Sequence, residues 1–348
     1  MSKNFSIVVL PGDGVGHEVT AQGVRVLREV ERLLGNIGFE LEELSAGAGE
    51  FLKSGEPLAL NVVSKCREAD AVLLGGMGLP DVRWPDGKEI TPQIDLREQL
   101  ELYSGVRPIY LYHSLDTPLR NVGAGEIDFV IVRESTEGLF SARLSGSTEN
   151  QNERCDLMRI TRSSSERLFL RAFELAKRRR SKVTLVDKAN VLPSMVFFRE
   201  IFDEVASSFP EVVTERIYVD AAALYLVQRP QSFDVLVTEN MFGDILSDLA
   251  AGLVGGMGMA PSGDIGEVSA VFQPSHGSAP DIAGKGIANP TATILSVAMM
   301  LDWLGIEKGG TLIRNAVQRA FDNPGDRTPD MGGHLNTIEM TDRIIQCL

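Results

Sequence analysis

The chain has 348 residues, 43% hydrophobic and 24% charged, which predicts a sizeable core arranged in two lobes. Its net charge of −14 argues against nucleic acid and against an anionic membrane surface as partners. Cys66, Cys155 and Cys347 lie far apart with no C-x-x-C pair, which excludes a disulfide scaffold and fits a soluble protein of the reducing cytoplasm. The apolar run near the N-terminus is too short for a signal core, and no run approaches the ~18 residues of a membrane span.

Phe5–Leu10 predicts a buried strand that stops at Pro11-Gly12-Asp13-Gly14-Val15-Gly16. Val19, Val24, Val26, Leu27, Val30 and Leu34 then recur at helical spacing. The glycines follow G-x-G-x-G and not the G-x-G-x-x-G dinucleotide fingerprint, so a tight turn beside some other ligand is expected. Ala71–Leu74 predicts a second strand, ended by a glycine cluster that either approaches a ligand or only turns. A helix is expected from about Ile94 to Tyr103, then strands at Val106–Leu111 and Phe129–Val132. Residues 164–178 read as a helix whose basic end, Lys177 to Arg180, is expected to be solvated and not a nucleic-acid patch. Strands at Val183–Val186, Ile217–Val219 and Phe233–Val237 alternate with helices at Val191–Ser207, after Asp220 and from Thr238 on. Two amphipathic helices, Ile294–Trp303 and Leu312–Phe321, follow, and the alternation defines an α/β chain.

Four sets of side chains suggest chemistry. Asp244 and Asp248 stand four apart on a helix that buries Ile245, Leu246, Leu249 and Leu253. Two like charges there suit a hard divalent cation, or are an acidic first turn solvated by water. Arg97, Arg107 and Arg133 each sit in an apolar stretch, as internal salt bridges or as bidentate donors to a substrate with several carboxylates. Lys188 follows Asp187 at a strand end, where a surface pair is the plain alternative to a lysine of lowered pKa acting as a base. Asp220 reads as a helix N-cap or a ligand, and His276 to Asn289 form a loop able to lay backbone on a flat ligand.

Longer blocks carry a resemblance. LPGDGVGHEV, the segment running from Leu96 to Pro108, VIVRESTEGLF, VDKANVLP, ENMFGDILSDLAAGLVGG and HGSAPDIAGKGIANPTA occur in the order found in the isocitrate/isopropylmalate dehydrogenase family of metal-dependent β-decarboxylating dehydrogenases. The chain resembles that family over nearly its whole length. The resemblance implies a two-lobed α/β fold that is not a Rossmann fold. It assigns residues 1–100 and 256–348 to a cofactor lobe, and 101–255 to a substrate, metal and dimerisation lobe with an arm near 135–160. It implies Lys188 as general base, and Asp220, Asp244 and Asp248 as ligands of Mg²⁺ or Mn²⁺, with Lys188 and Asp220 crossing a homodimer interface. Arg97, Arg107 and Arg133 would hold the malate part of the substrate, and Thr91, Gln93 and Ile94 would face the substituent on C3. Asn190 would lie near the nicotinamide, and His276, Gly277, Ser278, Ala279 and Asn289 along the adenosine. Asp281 would accept from both ribose hydroxyls and repel a 2′-phosphate, favouring NAD. The implied activity is NAD-dependent oxidative decarboxylation of a 3-substituted (2R)-malate, of isocitrate, homoisocitrate or 3-isopropylmalate type, with the surrounding blocks closest to the homoisocitrate and NAD-isocitrate branch. Two positions depart from the pattern: Phe140 replaces a tyrosine acid, and Gln273 replaces a glutamate. They keep open a non-catalytic, ligand-binding relative.

Overall fold

The computed structural model describes residues 3–145 and 152–348. They fall into two compact units, one made of 1–102, 112–117 and 254–348, the other of 103–111 and 118–253.

The first unit opens with β1 (Lys3–Leu10), α1 (Gly16–Leu34), β2 (Ile37–Glu43), α2 (Ala48–Ser54), α3 (Leu60–Glu68), β3 (Ala71–Leu74) and α4 (Pro92–Gln99). The second carries β4 (Ser104–Tyr110), β5 (Asp128–Glu134), α5 (Ala142–Ser145), α6 (Arg162–Lys177), β6 (Lys182–Asp187) and α7 (Pro193–Ala206). It continues with β7 (Val213–Tyr218), α8 (Val219–Gln228), β8 (Val235–Thr238) and α9 (Asn240–Gly252). The chain then returns to the first unit with β9 (Pro261–Ile265), β10 (Ala270–Pro274), α10 (Thr291–Trp303), α11 (Glu307–Phe321) and α12 (Thr337–Gln346).

In the first unit the strands run β2-β1-β3-β10-β9, parallel except for the β10–β9 pair. In the second they run β4-β5-β8-β6-β7, parallel except for β4–β5. The apolar runs AVLL of β3 and VLVT of β8 are wholly buried, as parallel strands covered on both faces require. Phe169, Phe173, Phe198, Phe202 and Phe209 from α6, α7 and the turn after α7 fill the second core, with ring centroids 4.6–5.4 Å apart. The short piece 112–117 belongs to the first unit for a visible reason. Arg327 holds Asp116 in a buried two-pronged pair at 2.8 and 2.9 Å, and Gln318 donates to the Tyr112 carbonyl at 3.0 Å.

Four expectations are corrected. The helix predicted to run to Tyr103 ends at Gln99, because Glu101 takes a φ of 53° and the Leu102 N–H folds back to the Arg97 carbonyl. Helix α10 is buried on nearly every side and is not amphipathic. On α9 the buried face is Gly243, Leu246, Ser247, Ala250 and Ala251, while Ile245 is 60% exposed. The basic end of α6 is not simply solvated. Arg179 bonds Asp234 at 2.8 Å and Asp128 at 2.7 Å, and Arg180 reaches the Phe233 carbonyl at 2.7 Å, tying the helix end to the β5 and β8 strand starts. Strands β2, β9 and β10 had no prediction. Of the expected arm at 135–160, residues 146–151 lie outside the described residues.

Candidate active site

In the second unit, antiparallel pairing sets Arg107 opposite Ile131 and Arg133 opposite Gly105, so the two arginines are diagonal neighbours on one sheet face. Helix α9 crosses that face. Arg133 is buried; its Nε and one terminal nitrogen donate to Asn240 Oδ1 at 2.9 and 2.7 Å, and the other terminal nitrogen bonds Asp244. Arg107 donates to Ser247 Oγ at 2.5 Å and lies 3.6 Å from both Asp244 and Asp248. The internal salt bridges foreseen as one reading of these arginines therefore exist, and their partners are the two aspartates assigned to metal. Burial raises the Asp248 pKa, opposed by Arg107 and reinforced by Asp244. Asn240 and Ser247 were missed as site residues, since nothing in their spacing shows that an arginine would fold onto them.

Two buried carboxylates shape the loop beside this cluster. Glu239 caps α9, accepting the Phe242 and Met241 N–H groups at 2.7 and 3.1 Å. Glu134 accepts from the Thr136 and Glu137 backbone and from the Ser164 hydroxyl. Desolvation raises both pKa values, opposed by those hydrogen bonds. Asn240 Nδ2 donates to the Glu137 carbonyl at 2.8 Å, joining the loop to Arg133. The half-buried Phe140 ring lies 5.3 Å from the Arg133 guanidinium carbon and offers no acidic proton.

Lys188 bonds Asp220 at 2.8 Å. It does not pair with Asp187, which turns inward and takes two bonds of 2.7 Å from Arg199. Asp220 is not a cap either: Tyr218 occupies that position and Asp220 is the second residue of α8. The hydrogen bond from Lys188 lowers the Asp220 pKa. Asn190 is exposed two residues beyond Lys188. Among the described residues no three His, Cys, Asp or Glu side chains form a metal-holding group, so one chain offers Asp244–Asp248 as a pair and Asp220 apart from it. An all-oxygen donor set of this kind suits Mg²⁺ or Mn²⁺.

In the first unit, the turn after β1, the turn after β3 and the loop after β10 meet backbone to backbone. A Cβ on Gly14 would lie 2.0 Å from the Ser278 carbonyl oxygen, and one on Gly76 2.5 Å from that of Gly277. Val15 N–H donates to the Ser278 carbonyl at 2.8 Å, and Asp13 accepts the N–H groups of Ala48, Gly49 and Gly78. Glu18 of α1 grips the same loop through the Gly284 and Gly286 N–H groups. Asp13 and Glu18 were not foreseen. Along the loop, Gly277 has open space where a side chain would be, and Ala279 has a φ of 38°. His276 Nδ1 lies 2.9 Å from the Gly277 carbonyl, and desolvation lowers its pKa. Asn289 is committed to the Thr291 N–H at 3.0 Å and to Asp330 at 3.3 Å. Asp281 is exposed, with no hydrogen bond to the described residues.

Arg97, also in this unit, donates Nε to Asp264 Oδ2 at 3.0 Å, and Gln273 Nε2 reaches the same oxygen at 2.6 Å. Thr91, Gln93 and Ile94 are half-buried on the approach to and first turns of α4, and Gln93 Oε1 is buried with no hydrogen-bond partner among the described residues.

Comparison with known proteins places the fold. The family model described as isocitrate/isopropylmalate dehydrogenase matches residues 6–344. The chain is 40% identical to a 3-isopropylmalate dehydrogenase of Aquifex aeolicus, over 99% of this chain and 98% of that one. It is 44% identical to the 3-isopropylmalate dehydrogenase of Geobacillus kaustophilus, over 98% and 95%. Among solved structures, isocitrate dehydrogenase from Methylococcus capsulatus superposes with a TM-score of 0.89 at 36% identity, covering 99% of each chain. A β-decarboxylating dehydrogenase from Thermococcus kodakarensis gives 0.82 at 40%, covering 99% of this chain and 96% of that one. The fold is that of the decarboxylating dehydrogenases. The chain belongs to the isocitrate/isopropylmalate dehydrogenase family.

Proposed function

We propose that the protein catalyses NAD-dependent, Mg²⁺- or Mn²⁺-dependent oxidative decarboxylation of a 3-substituted (2R)-malate. The observation that carries this reading is the Arg107–Arg133–Asp244–Asp248 cluster, in which cations for carboxylates and carboxylates for a cation share one helix and one sheet face. Bound metal would supply Lewis-acid polarisation of the C2 oxygen, and bound NAD⁺ the hydride acceptor. Arg107 and Arg133 hold substrate carboxylates by two-pronged hydrogen bonds, as does Arg97. Lys188 Nζ takes the hydroxyl proton. Because Phe140 has none to give, the proton returned to the enol comes from Lys188 or from water.

Asp220 stands apart from Asp244 and Asp248 within one chain, so the metal shell calls for a second copy. Leu224 and Val227 of α8 and Ile245 of α9 are 52%, 45% and 60% exposed, an apolar face suited to such a copy. The names of the curated relatives favour 3-isopropylmalate as substrate. A second reading, a substituent that hydrogen-bonds, is favoured by the half-buried Gln93 amide, whose Nε2 can donate to a carboxylate and whose buried Oε1 makes no hydrogen bond to the described residues. Turnover of 3-isopropylmalate, isocitrate and homoisocitrate with NAD tests all of this at once. NADH formation that EDTA abolishes and Mg²⁺ restores is the expected result, and activity in a metal-free preparation or equal use of NADP would overturn it. NAD binding without turnover of any of the three would establish the non-catalytic alternative.

A further inference from the structure

The side chains of Arg97, Asp264 and Gln273 form a buried set, 8%, 2% and 7% exposed, that the proposed mechanism does not use beyond Arg97. Asp264 on β9 and Gln273 on β10 are diagonal neighbours, since Gln273 pairs with Ser262 in the antiparallel register. Their ends meet: Gln273 Nε2 is 2.6 Å from Asp264 Oδ2, the oxygen that also takes the Arg97 Nε–H at 3.0 Å. The strand beneath is anchored as well, since the Gln273 backbone carbonyl accepts the Ser296 hydroxyl at 2.8 Å.

A carboxylate beside a buried guanidinium tends to take it side-on, through Nε and a terminal nitrogen together. Here Arg97 gives Asp264 one hydrogen bond, through Nε, and the same oxygen also takes the uncharged Gln273 amide. The other guanidinium nitrogens make no hydrogen bond to the described residues. The set carries one positive and one negative charge.

We propose that Gln273 is a positioning residue for substrate binding. With Asp264 as the buried counter-charge of Arg97, the Gln273 amide fixes that carboxylate and keeps the outer edge of Arg97 for a substrate carboxylate. The resemblance places a glutamate at 273; in this chain the negative charge sits one strand over, on Asp264, and the amide is its complement. A glutamate at 273 would set two carboxylates in contact and leave the set with a net negative charge facing an anionic substrate. The inference rests on the reading of Arg97 as a carboxylate binder.

The test is a charge transplant, assayed at pH 8.5 so that a shared carboxyl proton is released, with the malate substrate found active. Gln273→Glu is expected to raise its KM about tenfold, the cost of one like-charge contact. The KM for NAD and kcat should stay within about twofold, since neither depends on Arg97 alone. Gln273→Leu, which differs more in shape but adds no charge, should raise KM less than Gln273→Glu does. Asp264→Asn combined with Gln273→Glu restores one negative charge beside Arg97 and should return KM to within about threefold of the unmodified chain. An unchanged KM in Gln273→Glu, a larger effect of Gln273→Leu, or no rescue in the double variant while its melting temperature is retained would each overturn the proposal. Failure of the unmodified chain to turn over or bind any of the three malates would instead remove the function on which it rests.

Discussion

Single atoms decide how the reaction ends. Arg133 sets its guanidinium over the Phe140 ring, which carries no hydroxyl, so in the proposed mechanism the step that returns a proton to the enol lacks a phenol. Phe140→Tyr adds one oxygen to a half-buried position and should raise kcat where reprotonation limits turnover, within the ~10²–10⁴ range of a general acid. The solvent isotope effect on kcat should be larger before the substitution than after it. A slower Phe140→Tyr enzyme would show that another group is the acid. The same scale explains which pairings the sequence hid. Asp187 and Lys188 are neighbours in the chain, yet strand alternation sends Asp187 inward to Arg199 and leaves Lys188 for Asp220.

At the scale of elements, α9 organises the second unit. Its first turn is capped by Glu239, its polar edge carries Asp244 and Asp248, and it lies so close to β5 that no side chain fits at Gly243. A Cβ there would stand 2.7 Å from Arg133 Cγ and 2.8 Å from Cβ, the stiff end of the arginine. Gly243→Ala gains up to about 1 kcal/mol of helix propensity, but overpacking against a buried side chain costs about 1–3 kcal/mol. The expected outcome is a lower melting temperature together with a raised KM for the malate substrate, because displacing α9 moves Arg133 from Asn240. A variant more stable than the parent, with KM unchanged, would show that the helix has slack.

For the whole molecule, the proposal of shared sites predicts that oligomer and activity fail together. Leu224→Glu with Ile245→Glu should convert a dimer to monomers in sedimentation or light scattering, and turnover should fall at least about a hundredfold, since removing a group that acts directly in catalysis costs that much. Full activity in a demonstrated monomer would defeat it. Much of the plan was legible in the residues: apolar runs gave β1, β3, β6 and β8, helical spacing gave α1, α6 and α9, and long motif blocks gave the family, with Lys188, Asp220, Asp244, Asp248 and the loop from His276 as the site residues it implies. Those signals are local, because strand burial and helix periodicity repeat within a few residues. What only tertiary structure decided is long-range. β9 and β10 are five residues each, and they are strands because β10 pairs with β9 on one side and with β3, far earlier in the chain, on the other. The partner of Arg97 lies 167 residues away on one of them, and that of Arg133 107 residues away on α9. A buried charge must find its counter-charge wherever the fold places one, and sequence order carries no record of that distance.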